Sequence, residues 1–350
     1  MKQYVGLDVS EKLTSVCVVD EDGRKVWMGK CSSTPEALAA AIRERAPQAE
    51  RVGLETGPLC AWHFHGLKAL DVPVRCIDAR HAKAALAMQV NKTDENDAEG
   101  LAQIMRTGWF REVYVKSFAA QLLRSLLQTR LQLVAMRCDI ANQVRGTLKV
   151  FGIVLPSGRR STLDHLVRDV IGAREELNVF IEPLLVVWRT LGEQVALLDR
   201  RLRKTANEHS AVKNLMSIPG VGPVVGVGPV VGVAFVATID DPRRFAKSRT
   251  VGAHLGLAPR RYQSGEMDYQ RSISKCGDSL MRHYLFEAAG VLQTRTKRWN
   301  ALKAWGVRLV KRIGMRKATV AVARKLAVIM HRMWSTGEPF KWGAGEEVAA

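Results

Sequence analysis

The sequence predicts an α/β N-terminal domain followed by a mainly helical remainder. Two observations carry the fold class. Over the first hundred residues, short apolar runs alternate with stretches of helical period after an opening meander of three strands. From Phe118 to about Ala206 the apolar positions recur at helical spacing with no strand signal between them. A length of 350 residues predicts more than one domain. The pattern divides the chain into an α/β domain over 1–112, a helical arm over 113–207 and a mainly helical third domain over 208–350.

Taken in order, Tyr4–Val9, Thr14–Val19 and Lys25–Gly29 read as strands, and Asp22-Gly23 is the hairpin signal between the last two. A helix is predicted near Pro35–Arg45, a strand over Arg51–Glu55, a helix near Ala61–Leu70, a strand over Val72–Ile77 and helices from His81 to Thr107. In the arm, Leu123, Leu127, Leu131, Val134, Cys138 and Ala141 form one apolar stripe. Leu184, Trp188, Leu191, Val195, Leu198 and Leu202 alternate in steps of four and three, which is an a/d seam. Such a seam suits a helical hairpin within the chain or a coiled coil between copies. The charged flanks Arg189, Glu193, Arg200 and Arg201 favour a coiled-coil dimerisation arm.

The third segment opens with Leu215-Met216-Ser217-Ile218-Pro219-Gly220-Val221-Gly222-Pro223, a helix-hairpin-helix pattern. Gly220 and Gly222 would let backbone N–H groups approach a phosphate without reading sequence. The six residues GVGPVV at 220–225 are repeated at 226–231, a local duplication that leaves open which copy makes the turn. Ser264 follows in a loop bounded by glycine, with Arg260, Arg261, Arg271 and Lys275 around it in sequence. The tail from Thr294 to Met333 reads as basic helix with Trp299, Trp305 and Trp334 interspersed, a composition that suits backbone tracking and base stacking as well as a solvated basic face.

Composition narrows the function classes. The net charge is +19, and residues 243–341 hold 22 Lys/Arg against 5 Asp/Glu, so a polyanionic partner is expected at the C-terminal third. Within it Arg308, Lys311, Arg312, Arg316 and Lys317 form the densest basic run. The six cysteines show no CxxC or Cys/His ligand spacing, which argues against a zinc site and a disulfide framework. The uncharged stretch Met216–Ile239 is long enough to span a bilayer, but its glycines and prolines argue against a continuous spanning helix. A strand begins almost at the N-terminus, so no leader is expected. The expected location is cytoplasmic, beside the nucleoid of a bacterium.

Asp8, Glu55, Asp94 and Asp97 carry the chemistry. Asp8 lies in an otherwise apolar strand, where an acid is costly to bury unless paired or bound to a cation. Glu55 ends a second apolar strand, and Asp94 and Asp97 share one face at the start of a helix. Singly, each is a common turn or cap residue. Together, in this order, they make a cage of hard oxygens suited to Mg²⁺ or Mn²⁺. Ser264 among arginines fits a weak nucleophile held against a phosphodiester, although Gln263-Ser264-Gly265 by itself reads as an ordinary turn.

These motifs together resemble one family. Gly6-Leu7-Asp8-Val9-Ser10, Glu55-Thr56-Gly57-Pro58, Lys92-Thr93-Asp94-Glu95-Asn96-Asp97-Ala98, Ile218-Pro219-Gly220-Val221-Gly222-Pro223, Gly256-Leu257-Ala258-Pro259, Gln263-Ser264-Gly265 and Ile273-Ser274-Lys275-Cys276-Gly277-Asp278 run in the order of the DEDD insertion-sequence transposases, the bridge-RNA-guided recombinases. The resemblance implies a ribonuclease-H-like domain related to Holliday-junction resolvases, with Asp8, Glu55, Asp94 and Asp97 as the DEDD acids. It implies a C-terminal transposase domain with Ser264 as the nucleophile that forms a phosphoserine link to DNA. It also implies a structured guide RNA and a tetramer whose composite sites draw acids and serine from different copies. The duplicated GVGPVV departs from the family pattern. Two other enzyme readings remain. A plain junction resolvase would use the four acids to activate water and need no Ser264. A sugar-kinase-like ATPase would need a second Asp-Gly phosphate loop and a Gly-Gly adenosine loop, and neither is present in the sequence.

Overall fold

The computed structural model describes residues 1–87, 91–156, 163–172, 174–221 and 228–341. They fall into two compact units, Met1–Lys116 and Ser117–Ala350.

The first unit is a five-stranded mixed sheet covered on both faces. β1 (Gln3–Asp8), β2 (Leu13–Asp20) and β3 (Lys25–Ser32) form the expected antiparallel meander. α1 (Pro35–Arg45) starts where Thr34 caps the N–H of Ala37 and Pro35 takes the first turn, where its missing N–H costs nothing. β4 (Ala49–Glu55) returns parallel to β1, α2 (Cys60–Ala69) follows, and β5 (Val74–Ile77) pairs parallel to β4. The order is β3-β2-β1-β4-β5, consistent with the ribonuclease-H-like domain that the resemblance implies. α3 (Ala79–Leu86) and α4 (Asp94–Thr107) complete the unit. Val5, Leu7, Val16 and Val18 pack with α1 and α2, whereas Tyr4, Cys17 and Val19 pack with α4. The two-residue period of the strands thus divides the apolar residues between two cores.

Two glycines set how closely α4 lies on the sheet. Gly6 and Gly53 are register partners on β1 and β4. A Cβ on Gly6 would stand 2.0 Å from the carbonyl oxygen of Ala98, and one on Gly53 would meet Met105 at 2.6 Å. Gly6→Ala is therefore expected to force α4 off the sheet and destabilise the unit by about 2–3 kcal/mol, read as a lower urea midpoint. An unchanged midpoint would mean that α4 is not seated there.

The second unit is helical around one buried helix. α5 (Phe118–Val150), α6 (Leu163–Ile171) and α7 (Glu175–Glu208) come first. α5 and α7 form a hairpin whose far end closes over a small core containing Val144, Leu148, Val167, Ile181 and Trp188. The seam expected to face a second copy is filled from within the chain. Trp188, Leu191 and Leu202 are buried, Leu184 lies in the small core and Leu202 shares a core with Leu127 of α5. The Arg130–Asp199 ion pair ties the same two helices. An a/d pattern specifies a helical partner but not which chain supplies it, and within this chain α5 packs against Trp188 and Leu202 of the seam.

α8 (Ser210–Leu215) leads to α9 (Gly228–Ile239), apolar all round and buried along nearly its whole length. α9 packs against α5, α7, α8 and a later helix over Ser279–Thr294, so the hairpin and the C-terminal elements share one core. Most of the apolar stretch Met216–Ile239 that could suggest a bilayer is thus core. No helix among the described residues is long and apolar enough to cross a membrane. α10 (Val251–His254) precedes β6 (Pro259–Ser264) and β7 (Met267–Ile273), an antiparallel hairpin within a segment expected to be mainly helical. α11 (Ser279–Thr294), α12 (Ala301–Ile313) and α13 (Met315–Thr336) end the unit. The β hairpin escaped the sequence reading because nearly all its residues are exposed and no apolar alternation marks it.

Candidate active site and nucleic-acid interface

Three elements of the first unit bring the four acids to one end of the sheet. Asp8 is the last residue of β1 and Glu55 the last of β4, and Leu7 pairs with Leu54 immediately before them. Thr93 caps α4 by accepting from the N–H of Asn96, which places Asp94 and Asp97 in the first turn at the positive end of the helix. The close approach of Ala98 to Gly6 brings that turn towards the end of β1.

The electrostatics show that the acids sense one another. Burial, then the charges of Asp97, Asp94 and Glu55, push the Asp8 carboxyl up to about 6. Burial and the charge of Asp97 likewise raise Glu55. Two cations stand at the edge, Lys92 at 3.9 Å from Asp97 and Lys30 at 3.8 Å from Asp94. Asp94 has 70% of its side chain exposed and Asp97 has 17%, so the second faces inward. Among the described residues no three carboxylate, histidine or cysteine side chains stand close enough together to hold a metal ion as they are. The four acids expected to form a metal cage lie at one end of the sheet but not within coordination distance of a common ion.

Ser264 ends β6 at the tip of the β6–β7 hairpin, where Gly265 turns the chain with φ +56° and Ser264 pairs with Met267. Ser264 is exposed, and its hydroxyl makes no hydrogen bond among the described residues. The base of the hairpin is firmly fastened. The N–H of Ser274 donates to Ala258 and that of Lys275 to Gly256. A Cβ on Gly256 would collide with the Cys276 carbonyl, and one on Gly277 with the His254 carbonyl. Asp278 caps α11 and pairs with the largely buried Arg124 of α5.

The arginines expected around Ser264 divide between two roles. Arg261 lies across the ribbon from Ser264's face and pairs with Asp268 at 2.6 Å. Arg260 donates to the carbonyl of Ser274 at 2.9 Å, near the hairpin base. Arg271 shares the face of Ser264. Lys275 is exposed and left-handed, with φ +55°. Alternation along a strand, invisible while the segment reads as a loop, separates these roles.

A DEDD-type transposase family model of the IS110 kind matches residues 5–153, and a second, described as transposase IS116/IS110/IS902 family, matches residues 212–304. The chain belongs to the IS110 family of transposases. It is similar to the transposase for insertion sequence element IS1111A of Coxiella burnetii, 25% identical over 98% of this chain and 92% of the relative. It is also similar to the transposase for insertion sequence element IS1328 of Yersinia enterocolitica, 27% identical over 71% of this chain and 74% of that relative. The first match begins at β1 and contains all four acids, and the second contains Ser264.

The transposase acts on DNA, and its densest basic run is exposed. Arg308, Lys311 and Arg312 project from the end of α12, and Arg316 and Lys317 from the start of α13, around Gly314. Cations in a first helical turn oppose the helix dipole, each costing about 0.3–1 kcal/mol, so helix stability does not account for Arg316 and Lys317. Replacing all five by neutral residues is expected to flatten the log Kd against log salt slope for duplex DNA by up to about 4. An unchanged slope would place the binding surface elsewhere.

Of the tryptophans, Trp305 and Trp334 pack against the core, and Trp299 is exposed beneath the ammonium of Lys303. Gly220, expected to offer its N–H to a phosphate, also has a packing role. It is buried with φ +86°, and a Cβ there would stand 2.5 Å from the carbonyl oxygen of Ala288 in α11. Its missing side chain serves packing. Gly222 and half of the GVGPVV duplication, residues 222–227, lie outside the described residues. The sequence reading missed Lys30, whose only signal is its place at the rim-side end of β3, and Tyr262 and Tyr269, which a Ser-Gly turn between Tyr-bearing runs would have flagged.

Proposed function

We propose that this transposase cuts and rejoins DNA strands with Asp8, Glu55, Asp94 and Asp97 as the holders of Mg²⁺ or Mn²⁺ and Ser264 as the nucleophile. The observation that carries the reading is the convergence of the four acids, with Asp8 pushed up to about 6 by burial and by the other three. A carboxyl so destabilised suits a site whose charge is balanced by a bound cation. The donors are hard oxygens on two strand ends and one helix start, which fit a small divalent ion. Such an ion, when bound, neutralises charge on the scissile phosphate.

Ser264 attacks the phosphorus in line. Its Oγ–P bond forms as the bond to the leaving strand breaks, and the proton released by the serine hydroxyl is balanced by the one that the leaving strand's oxygen takes up. The phosphoserine ester keeps the energy of the broken linkage for rejoining, so no nucleotide cofactor is required. Arg271, on the same face, and Lys275, near the base, supply positive charge to the phosphate. A structured guide RNA and an assembly in which acids and serine come from different copies belong to the same reading and rest on the family resemblance.

Asp8→Asn and Ser264→Ala, assayed on a plasmid carrying the element's ends, test it. Loss of strand cleavage in both is expected, and cleavage by either at the wild-type rate overturns its part. A second reading, resolvase-type hydrolysis by water at the four acids, would survive Ser264→Ala and leave no covalent adduct.

A further inference from the structure

Among the described residues nothing is packed on either face of the β6–β7 ribbon, since every residue from Pro259 to Ser264 and from Met267 to Ser272 is exposed. An isolated two-stranded ribbon is marginal in water, so its exposed side chains call for a partner. On the face that carries Ser264, Tyr262 and Tyr269 are directly opposed, with ring centroids 5.2 Å apart and planes 32° from parallel. Both are large aromatics left 44% and 41% exposed. The Arg271 guanidinium lies 5.6 Å from one ring centroid and 5.2 Å from the other, and it donates to the Tyr269 hydroxyl at 2.7 Å. Two rings and a planar cation are thus held side by side on one open surface.

We infer that Tyr262, Tyr269 and Arg271 form a stacking platform for an unpaired DNA base close to the phosphate presented to Ser264. Aromatic faces with an arginine bind nucleobases by stacking and cation–π attraction, with little dependence on sequence. Bases within a duplex have their faces covered by neighbours, so the ligand is a single-stranded or extruded segment. Tyr262 and Ser264 alternate along one strand, which separates them by about 7 Å. Successive phosphates of one strand are ~3.4 Å apart along a duplex axis and farther apart in an extended single strand, so the stacked base belongs to a nucleotide within about two of the reacting phosphate. The strong positive charge of residues 243–341 favours a polyanion here over a protein surface. The location relative to the cut rests on the reading of Ser264, but the binding does not.

The test uses the full-length protein in chelator, so that no strand is cut and failure of the serine mechanism leaves the result readable. The probe is a single-stranded oligonucleotide containing 2-aminopurine, with the matching duplex and the matching RNA as comparisons. Quenching of the single strand by the wild type is expected. Tyr262→Ala with Tyr269→Ala should weaken single-strand binding roughly 10–100-fold and leave duplex binding and its salt slope unchanged. Tyr262→Phe with Tyr269→Phe keeps both rings and should retain the quench. Unquenched 2-aminopurine on the wild type, or an alanine pair that binds single strands as the wild type does, overturns the inference. Tyrosine-dependent binding of RNA without DNA overturns the assignment to DNA.

Discussion

Ser264→Ala is expected to reduce strand transfer below about a thousandth of wild type and to eliminate any covalent protein–DNA adduct. The substitution removes only a hydroxyl that is exposed and makes no hydrogen bond among the described residues, so stability should stay within about 0.5 kcal/mol of wild type. The loss would therefore be chemical. Ser272 and Ser274 are the controls. The Ser274 Oγ accepts from the N–H of Cys276 at 3.3 Å and so serves the turn, while Ser272 lies beyond the bend of the hairpin on β7. Alanine at Ser272 should keep the adduct. Denaturing electrophoresis of protein incubated with labelled element-end DNA reads all three. An adduct that persists in Ser264→Ala would sink the serine mechanism and favour hydrolysis by water at the four acids.

Asp8→Asn should abolish cleavage while making the metal-free protein more stable at neutral pH, a pairing that ordinary structural damage would not produce. The folded Asp8 carboxyl is raised from 3.8 to about 6 by burial and by Asp97, Asp94 and Glu55. Its ionised form therefore costs stability, and that cost is fully present above about pH 6. It fades as pH falls from about 6 and is lost only below 3.8, where Asp8 is protonated in both the folded and the unfolded chain. Asparagine removes the charge at similar volume. After discounting for solvent screening, a gain of about 1 kcal/mol is expected at pH 7 in chelator, shrinking as the pH is lowered to 4. Urea denaturation across that range measures it, with cleavage in Mg²⁺ assayed in parallel. Wild-type cleavage by the variant would remove Asp8 from the site, and a stability loss at pH 7 would show that its neighbours do not repel it.

Much of the first unit was legible. The meander, the β4 and β5 returns and the intervening helices follow from period and turn chemistry, both carried by neighbouring residues. The capped start of α4 was written in Lys92-Thr93-Asp94-Glu95-Asn96-Asp97, and the structure puts it beside the ends of β1 and β4. The role of Gly6 was not legible, because its need for a missing Cβ arises from Ala98, far along the chain. The β6–β7 hairpin was missed for the opposite reason. A ribbon exposed on both sides buries no alternate face, so it leaves no periodic trace.

The sequence by itself determined the α/β start, the helical remainder, the basic C-terminal third and the four acids in family order, because each is a local pattern or a composition. Only the tertiary structure decided what each surface meets. It turned the a/d seam inward onto α5, assigned Gly220 to packing against α11, paired Arg261 with Asp268 on the far face of the ribbon and set Tyr262 and Tyr269 beside Ser264. An apolar stripe, a glycine or an arginine states what kind of neighbour it needs. Which neighbour it receives depends on packing between segments distant in the chain, and that has no local signature.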